Sequence, residues 1–144
     1  MIIIAHRGLI NGPNKELENT PEQIDLAIQM DFNVEIDLWY TNNLYFLGHD
    51  EPQYEIGLEW LFNREDNLWI HCKNVDALLK MKQTFLHFFW HENDTVTLTS
   101  RGFIWAYPGK QPIKNSIAVL PELYNDAVDE CFGVCTDYAT KYRG

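Results

Sequence analysis

Glu35 and Asp37 are the first residues whose types and spacing suggest chemistry. Two positions apart on an extended segment, their carboxylates point to the same face. Inward-facing carboxylates are costly unless paired or bound to a cation, and a carboxylate pair with water suits a hard divalent ion. Taken alone, the Glu-Ile-Asp triplet favours a solvated edge strand. His6 and His49 supply groups that act as acid or base near neutral pH, although either one alone reads as a hydrogen-bonded structural histidine. Arg7 follows His6 directly, and a guanidinium beside a metal site suits a bidentate phosphate contact. A surface ion pair is its plainer alternative. His71 and Lys73, again two apart, place an imidazole ligand and an ammonium on one strand face, unless Lys73 simply faces water at the strand end.

These residues share a position. His6, Asp37, His49 and His71 all fall at or near the C-terminal ends of predicted strands, the edge where α/β sheets and barrels bind ligands. Eight strand segments are readable: Met1 to Ala5, Val34 to Leu38, Leu44 to Gly48, Leu68 to Cys72, Thr95 to Thr99, Phe103 to Ala106, Ser116 to Val119 and Gly133 to Thr136. Four helices are expected between them. Thr20-Pro21-Glu22-Gln23 starts the first, with Thr as N-cap and Gln closing a capping box. Ile56 to Phe62 makes a short one. Asn74 to Phe89 is the longest, with Val75, Leu78, Leu79, Phe85 and Phe89 on its apolar stripe. Pro121 to Glu130 is the last. Strand–helix alternation argues for an α/β fold with a mostly parallel sheet. His87 and His91 carry no motif and read as helix surface or helix end.

The whole chain, residues 1–144, is expected to form a single domain. Apolar residues make up 46% of it, enough for a sizeable core. The formal charge of −10 repels phosphate backbones and anionic membranes, which argues against general nucleic-acid binding. No apolar run approaches the ~20 residues of a transmembrane span, and no basic region precedes a long apolar stretch as in a signal peptide. Cys72, Cys131 and Cys135 form no disulfide framework. Cys131 and Cys135 read as small core residues. A reducing cytoplasm is the expected compartment.

The ordered motifs His6-Arg7-Gly8, Glu18-Asn19-Thr20, Val34-Glu35-Ile36-Asp37-Leu38, Thr41 and His49-Asp50 resemble the N-terminal half of the glycerophosphodiester phosphodiesterases. These belong with the phospholipase-C-like phosphodiesterases, which are TIM barrels. The likeness continues more weakly through Ile70-His71-Cys72-Lys73 and reappears at Gly133-Val134-Cys135-Thr136-Asp137-Tyr138. It implies that His6 and His49 are the catalytic histidine pair and that Arg7 contacts phosphate. It implies that Glu35 and Asp37 are metal ligands, that Glu18 lies close to the site, and that Lys73 lies near the substrate phosphate. The implied activity is metal-dependent hydrolysis of a small glycerophosphodiester, a reaction of lipid metabolism.

Two departures from the family matter. Its third carboxylate ligand is replaced here by His71. That shifts the metal expected from Mg²⁺ or Ca²⁺, as the resemblance implies, towards Mn²⁺ or Zn²⁺. The chain is also about 100 residues shorter than a typical TIM barrel. The expected fold is therefore a reduced (β/α)8-like barrel of about eight strands with several connections lacking helices. Uncovered strands would expose apolar surface that a homodimer would bury. The altered ligand and shortened loops leave a second reading open, a weakly active or inactive barrel that binds a phosphorylated ligand or a metal. A phospholipase-D-like lyase is a third reading, disfavoured by the acidic charge and by the lack of a membrane-binding helix. The segment from Thr99 to Leu120 has no assigned part.

Overall fold

The computed structural model describes residues 1–143 as a mixed α/β fold built on one curled sheet. In chain order the elements are β1 (Ile2–His6), α1 (Pro21–Gln29), β2 (Asn33–Thr41), β3 (Leu44–Leu47), β4 (Tyr54–Ile56), α2 (Leu58–Phe62), β5 (Leu68–Cys72) and α3 (Val75–Met81). Then follow β6 (Phe88–Phe89), β7 (Val96–Leu98), β8 (Ile104–Ala106), β9 (Ser116–Val119), a 3₁₀ turn (Pro121–Leu123), β10 (Gly133–Thr136) and α4 (Ala139–Tyr142). Eight strands run side by side in the order β6-β5-β2-β1-β10-β9-β8-β7, and the pair β3-β4 branches from β2. All neighbours on the eight-strand path are parallel except β7 and β8. The ends of the path approach each other: Ser100 N donates to Phe88 O at 2.8 Å, and Phe88 N donates to Ser100 Oγ at 2.9 Å.

The strand alternation builds two apolar layers. Val34, Ile36 and Leu38 of β2 and Ile70 and Cys72 of β5 pack with Ile24 and Ala27 of α1, Leu61 of α2, and Ala77 and Met81 of α3. Trp69, Phe89, Trp105, Ile117, Val119, Ile4 and Cys135 form the inner layer. Glu35, Asp37 and His71 occupy inner-face positions of β2 and β5, so they rise from the inside of the curl. Beneath them Trp69, His87, Phe103 and Trp105 fill the interior, with Trp69 4.1 Å from His87 and 4.8 Å from Phe103 between ring centroids. His87 is buried, Nε2 lies 2.7 Å from Thr99 Oγ1, and burial together with the charge of Arg101 pushes its pKa down to about 4.

Several expectations are corrected. The third expected strand, Leu44 to Gly48, is not on the eight-strand path. Asn42 and Asn43 both take positive φ, the backbone of a two-residue hairpin turn, and fold β3 antiparallel onto β2. Its place is taken by β6. The helix expected over 74–89 ends at Met81, where Thr84 Oγ1 caps Met81 O, and Phe88 and Phe89 pair with β5 instead. Of the expected stripe, Val75 and Leu79 lie on the exposed face of α3, and Phe85, beyond its end, is 95% exposed. His87 and His91 lie on no helix and are buried. The helix expected over 121–130 shrinks to Pro121–Leu123, because Asn125 turns the chain with φ at +53°. Gln23 closes no capping box: its Nε2 donates to Gly8 O at 3.0 Å and ties α1 to the turn after β1. No helix among the described residues is long and apolar enough to cross a membrane.

Candidate active site

Sheet register assembles the site. His6 stands beside Glu35 across β1 and β2, and Asp37 stands beside His71 across β2 and β5. Four side chains from three strands thus lie in one line at the C-terminal edge. Glu35 and Asp37 are 2% and 1% exposed, far below what unpaired carboxylates tolerate. Glu35, Asp37 and His71 each offer a ligand atom within 4.8 Å of the others.

His71 is held by its far nitrogen. Nε2 donates to His91 O at 2.8 Å, and the ring stacks on Phe89 with centroids 5.0 Å apart. Nδ1 therefore faces Asp37 Oδ1 at 3.4 Å and Glu35 Oε2 at 3.7 Å. Burial alone would lower the His71 pKa. The hydrogen bonds and charges of Asp37 and Glu35 outweigh it and raise the value to about 9. Burial would likewise raise Asp37, but His71, Arg7 and Asn19 hold it well below the usual carboxylate range. Asn19 clamps Asp37 from both ends, its Nδ2 donating to Oδ2 at 2.9 Å and its Oδ1 accepting from Asp37 N at 3.1 Å.

His6 ends β1, and the chain then turns through Arg7 and Gly8, both at positive φ. A Cβ on Gly8 would sit 3.3 Å from the Ile24 backbone, so this turn packs directly on α1. His6 Nδ1 lies 2.7 Å from Asp137 Oδ1, which leaves Nε2 facing the cleft, 3.9 Å from Glu35 Oε1. Burial would lower the His6 pKa, but Asp137 and Glu35 raise it above its ordinary value. Arg7 N donates to Glu35 Oε1 at 3.1 Å and Nη1 to Glu18 Oε2 at 3.1 Å. Its Nε is buried 3.4 Å from Asp37 Oδ2 and makes no hydrogen bond with any described residue.

His49 reaches the site from the loop after β3. Gly48 N donates to Asp37 O at 3.2 Å and Gly48 O accepts from Trp39 Nε1 at 2.7 Å, which anchors that loop to β2. A Cβ on Gly48 would fall 2.0 Å from Glu51 O, so the turn needs glycine. His49 sits at the rim, 38% exposed, with Nδ1 2.7 Å from Asp50 Oδ1.

His6, Arg7, Glu35, Asp37, His49, His71 and Lys73 all line one cleft of about 400 Å³. Of the residues singled out in the sequence, Glu18 alone is not on its wall, and it touches the cleft through Arg7. The opposite wall is apolar and comes from the stretch that sequence left unassigned and its continuation: Trp105, Tyr107, Pro108, Val119, Leu120 and Leu123. Sequence reasoning also missed Asn19 and Asp137, which it quoted within motifs without giving them roles, and His91. The chain has no significant match to a family model, a curated protein or a solved structure.

Proposed function

We propose that this protein is a metal-dependent phosphodiesterase acting on a small glycerophosphodiester-like molecule, on a reduced (β/α)8-type barrel. The observation that carries the reading is the convergence on one cleft of a buried Glu–Asp–His group, an Asp-oriented histidine, a second histidine, an arginine and a lysine. The curl of the sheet and the position of the site at its C-terminal edge support the barrel assignment. Glu35, Asp37 and His71 would hold the cation. They fit one, because two buried carboxylates face an imidazole nitrogen whose partner nitrogen is already committed to a carbonyl. When bound, a divalent ion polarises a phosphoryl oxygen as a Lewis acid.

The chain's own residues do the rest. Asp137 accepts from His6 Nδ1 and aims Nε2 into the cleft, where it exchanges a proton with the attacking or departing oxygen. His49, on the other rim, serves the opposite oxygen. Arg7 and Lys73, both on the cleft wall, oppose the charge that grows on the phosphoryl group. Glu18 holds the Arg7 guanidinium by Nη1. The test is hydrolysis of a glycerophosphodiester panel by metal-stripped protein with Mg²⁺, Ca²⁺, Mn²⁺ and Zn²⁺ restored in turn. His6→Ala should cost ~10²–10⁴-fold in turnover. No turnover above that variant with any metal would sink the proposal.

One observation favours a second reading, a metal-free phosphate-binding barrel. A protonated His71 with Arg7 balances the charge of Glu35 and Asp37 without any cation. Phosphate binding by metal-stripped protein, with no turnover when metals return, would support it.

A further inference from the structure

A second cleft of about 530 Å³ adjoins the first and shares Leu123 with it. Asp137, the partner of His6, lies on its wall. The rest of the lining comes from Pro13, the 3₁₀ turn and the stretch Tyr138 to Tyr142. The cleft is built rather than incidental. Gly12 N donates to Asp137 O at 2.8 Å, Thr140 Oγ1 donates to Ile10 O at 3.0 Å, and a Cβ on Gly12 would press 3.1 Å from the Tyr138 ring.

Part of the polar lining of this cleft is engaged within the protein. Glu122 accepts from Thr136 Oγ1 at 2.8 Å and from Tyr142 Oη at 3.4 Å. Lys141 Nζ lies 4.3 Å from the Tyr138 ring centroid, and Asp137 Oδ1 is bound to His6. Pro13, Leu123 and the two tyrosine rings give the cleft a continuous apolar surface. An apolar group would bury its surface there.

We propose that this cleft is a subsite for an apolar arm of the substrate. One ester arm and the phosphate occupy the polar cleft, and the second arm, an aliphatic or aromatic alcohol, passes over Leu123 onto Tyr138 and Tyr142. The inference rests on the phosphodiesterase reading and adds the class of alcohol released or retained.

The experiment compares glycerol phosphodiesters of ethanol, hexanol and 2-phenylethanol, alcohols of similar acidity, on metal-restored protein. The hexyl or phenethyl ester should exceed the ethyl ester in kcat/KM by about 10–100-fold. Whichever leads identifies an aliphatic or an aromatic arm. Leu123→Asp and Tyr142→Ala should bring that ratio to within about threefold of unity. A ratio taken within one variant does not depend on the fraction folded. Equal kcat/KM for the three esters would overturn the subsite and leave the phosphodiesterase standing. A preference that survives both substitutions would also overturn it, because the arm would then lie elsewhere. No turnover of any ester would overturn both.

Discussion

A divalent ion that enters between Glu35, Asp37 and His71 must first displace a proton. With its pKa raised to about 9, His71 is an imidazolium at neutral pH. Only about one molecule in a hundred carries the neutral ligand at pH 7, which lowers apparent metal affinity by about 2.7 kcal/mol. Affinity for Mn²⁺ should therefore rise about tenfold per pH unit between pH 6 and 8 and level off towards pH 9, with about one proton released per ion at pH 7. Titration calorimetry in buffers of different ionisation enthalpy measures both quantities. His71→Glu puts a third carboxylate in place of the imidazole, so it should abolish the slope and move preference towards Mg²⁺ or Ca²⁺. The metal-free protein gives the mirror image. A histidine whose pKa rises from 6.5 to about 9 on folding adds stability that is complete below pH 6.5 and lost as pH climbs through 9. The full effect is about 3 kcal/mol. The depression of Asp37 is the same attraction felt by the partner and is not added. Urea midpoints at pH 6 and pH 9.5 should thus differ more in the wild type than in His71→Gln. Metal affinity independent of pH, or equal pH sensitivity of the two proteins, would refute the reasoning.

Three other outcomes follow from the same geometry. Asp137→Asn removes the negative charge that fixes the Nδ1–H tautomer of His6 and favours its protonation; turnover should fall by about 10²-fold, and the His6 titration, followed by NMR, should move to lower pH. Asn19→Ala strips Asp37 of both partners from that side chain and should cost about 1.5–3 kcal/mol in denaturant unfolding, with weaker metal binding besides. Ile36, fully buried between Glu35 and Asp37 on the opposite face of β2, contributes packing alone; Ile36→Ala should cost about 2–5 kcal/mol without shifting the pH optimum.

The local elements that carry the site were legible because their signals are short-range. A β-branched run from Ile2 to Ile4, the alternation around Glu35 and Asp37, and the run from Leu68 to Cys72 all became strands of the sheet. The two-residue period that puts Glu35 with Asp37, and His71 with Lys73, needs no partner to be read. Helix ends were less legible. Asn74 to Phe89 carries apolar residues at helical spacing, yet the pairing of Phe88 and Phe89 with β5 outweighs propensity after Met81.

Sequence by itself determined the chemistry available: two carboxylates, the histidines and the basic groups, placed at strand ends by local pattern. Tertiary structure decided which of them meet. The register of β1, β2 and β5 sets His6 against Glu35 and Asp37 against His71, and register is a long-range property that no local window contains. The partner of His6 lies 131 residues away, and the carbonyl that orients His71 belongs to a histidine that carried no signal of its own. The apolar wall comes from the stretch around Trp105 and Tyr107 for the same reason. Only the curl of the sheet, which turns β8 and β9 back across from β2, brings it over the C-terminal edge that carries the site.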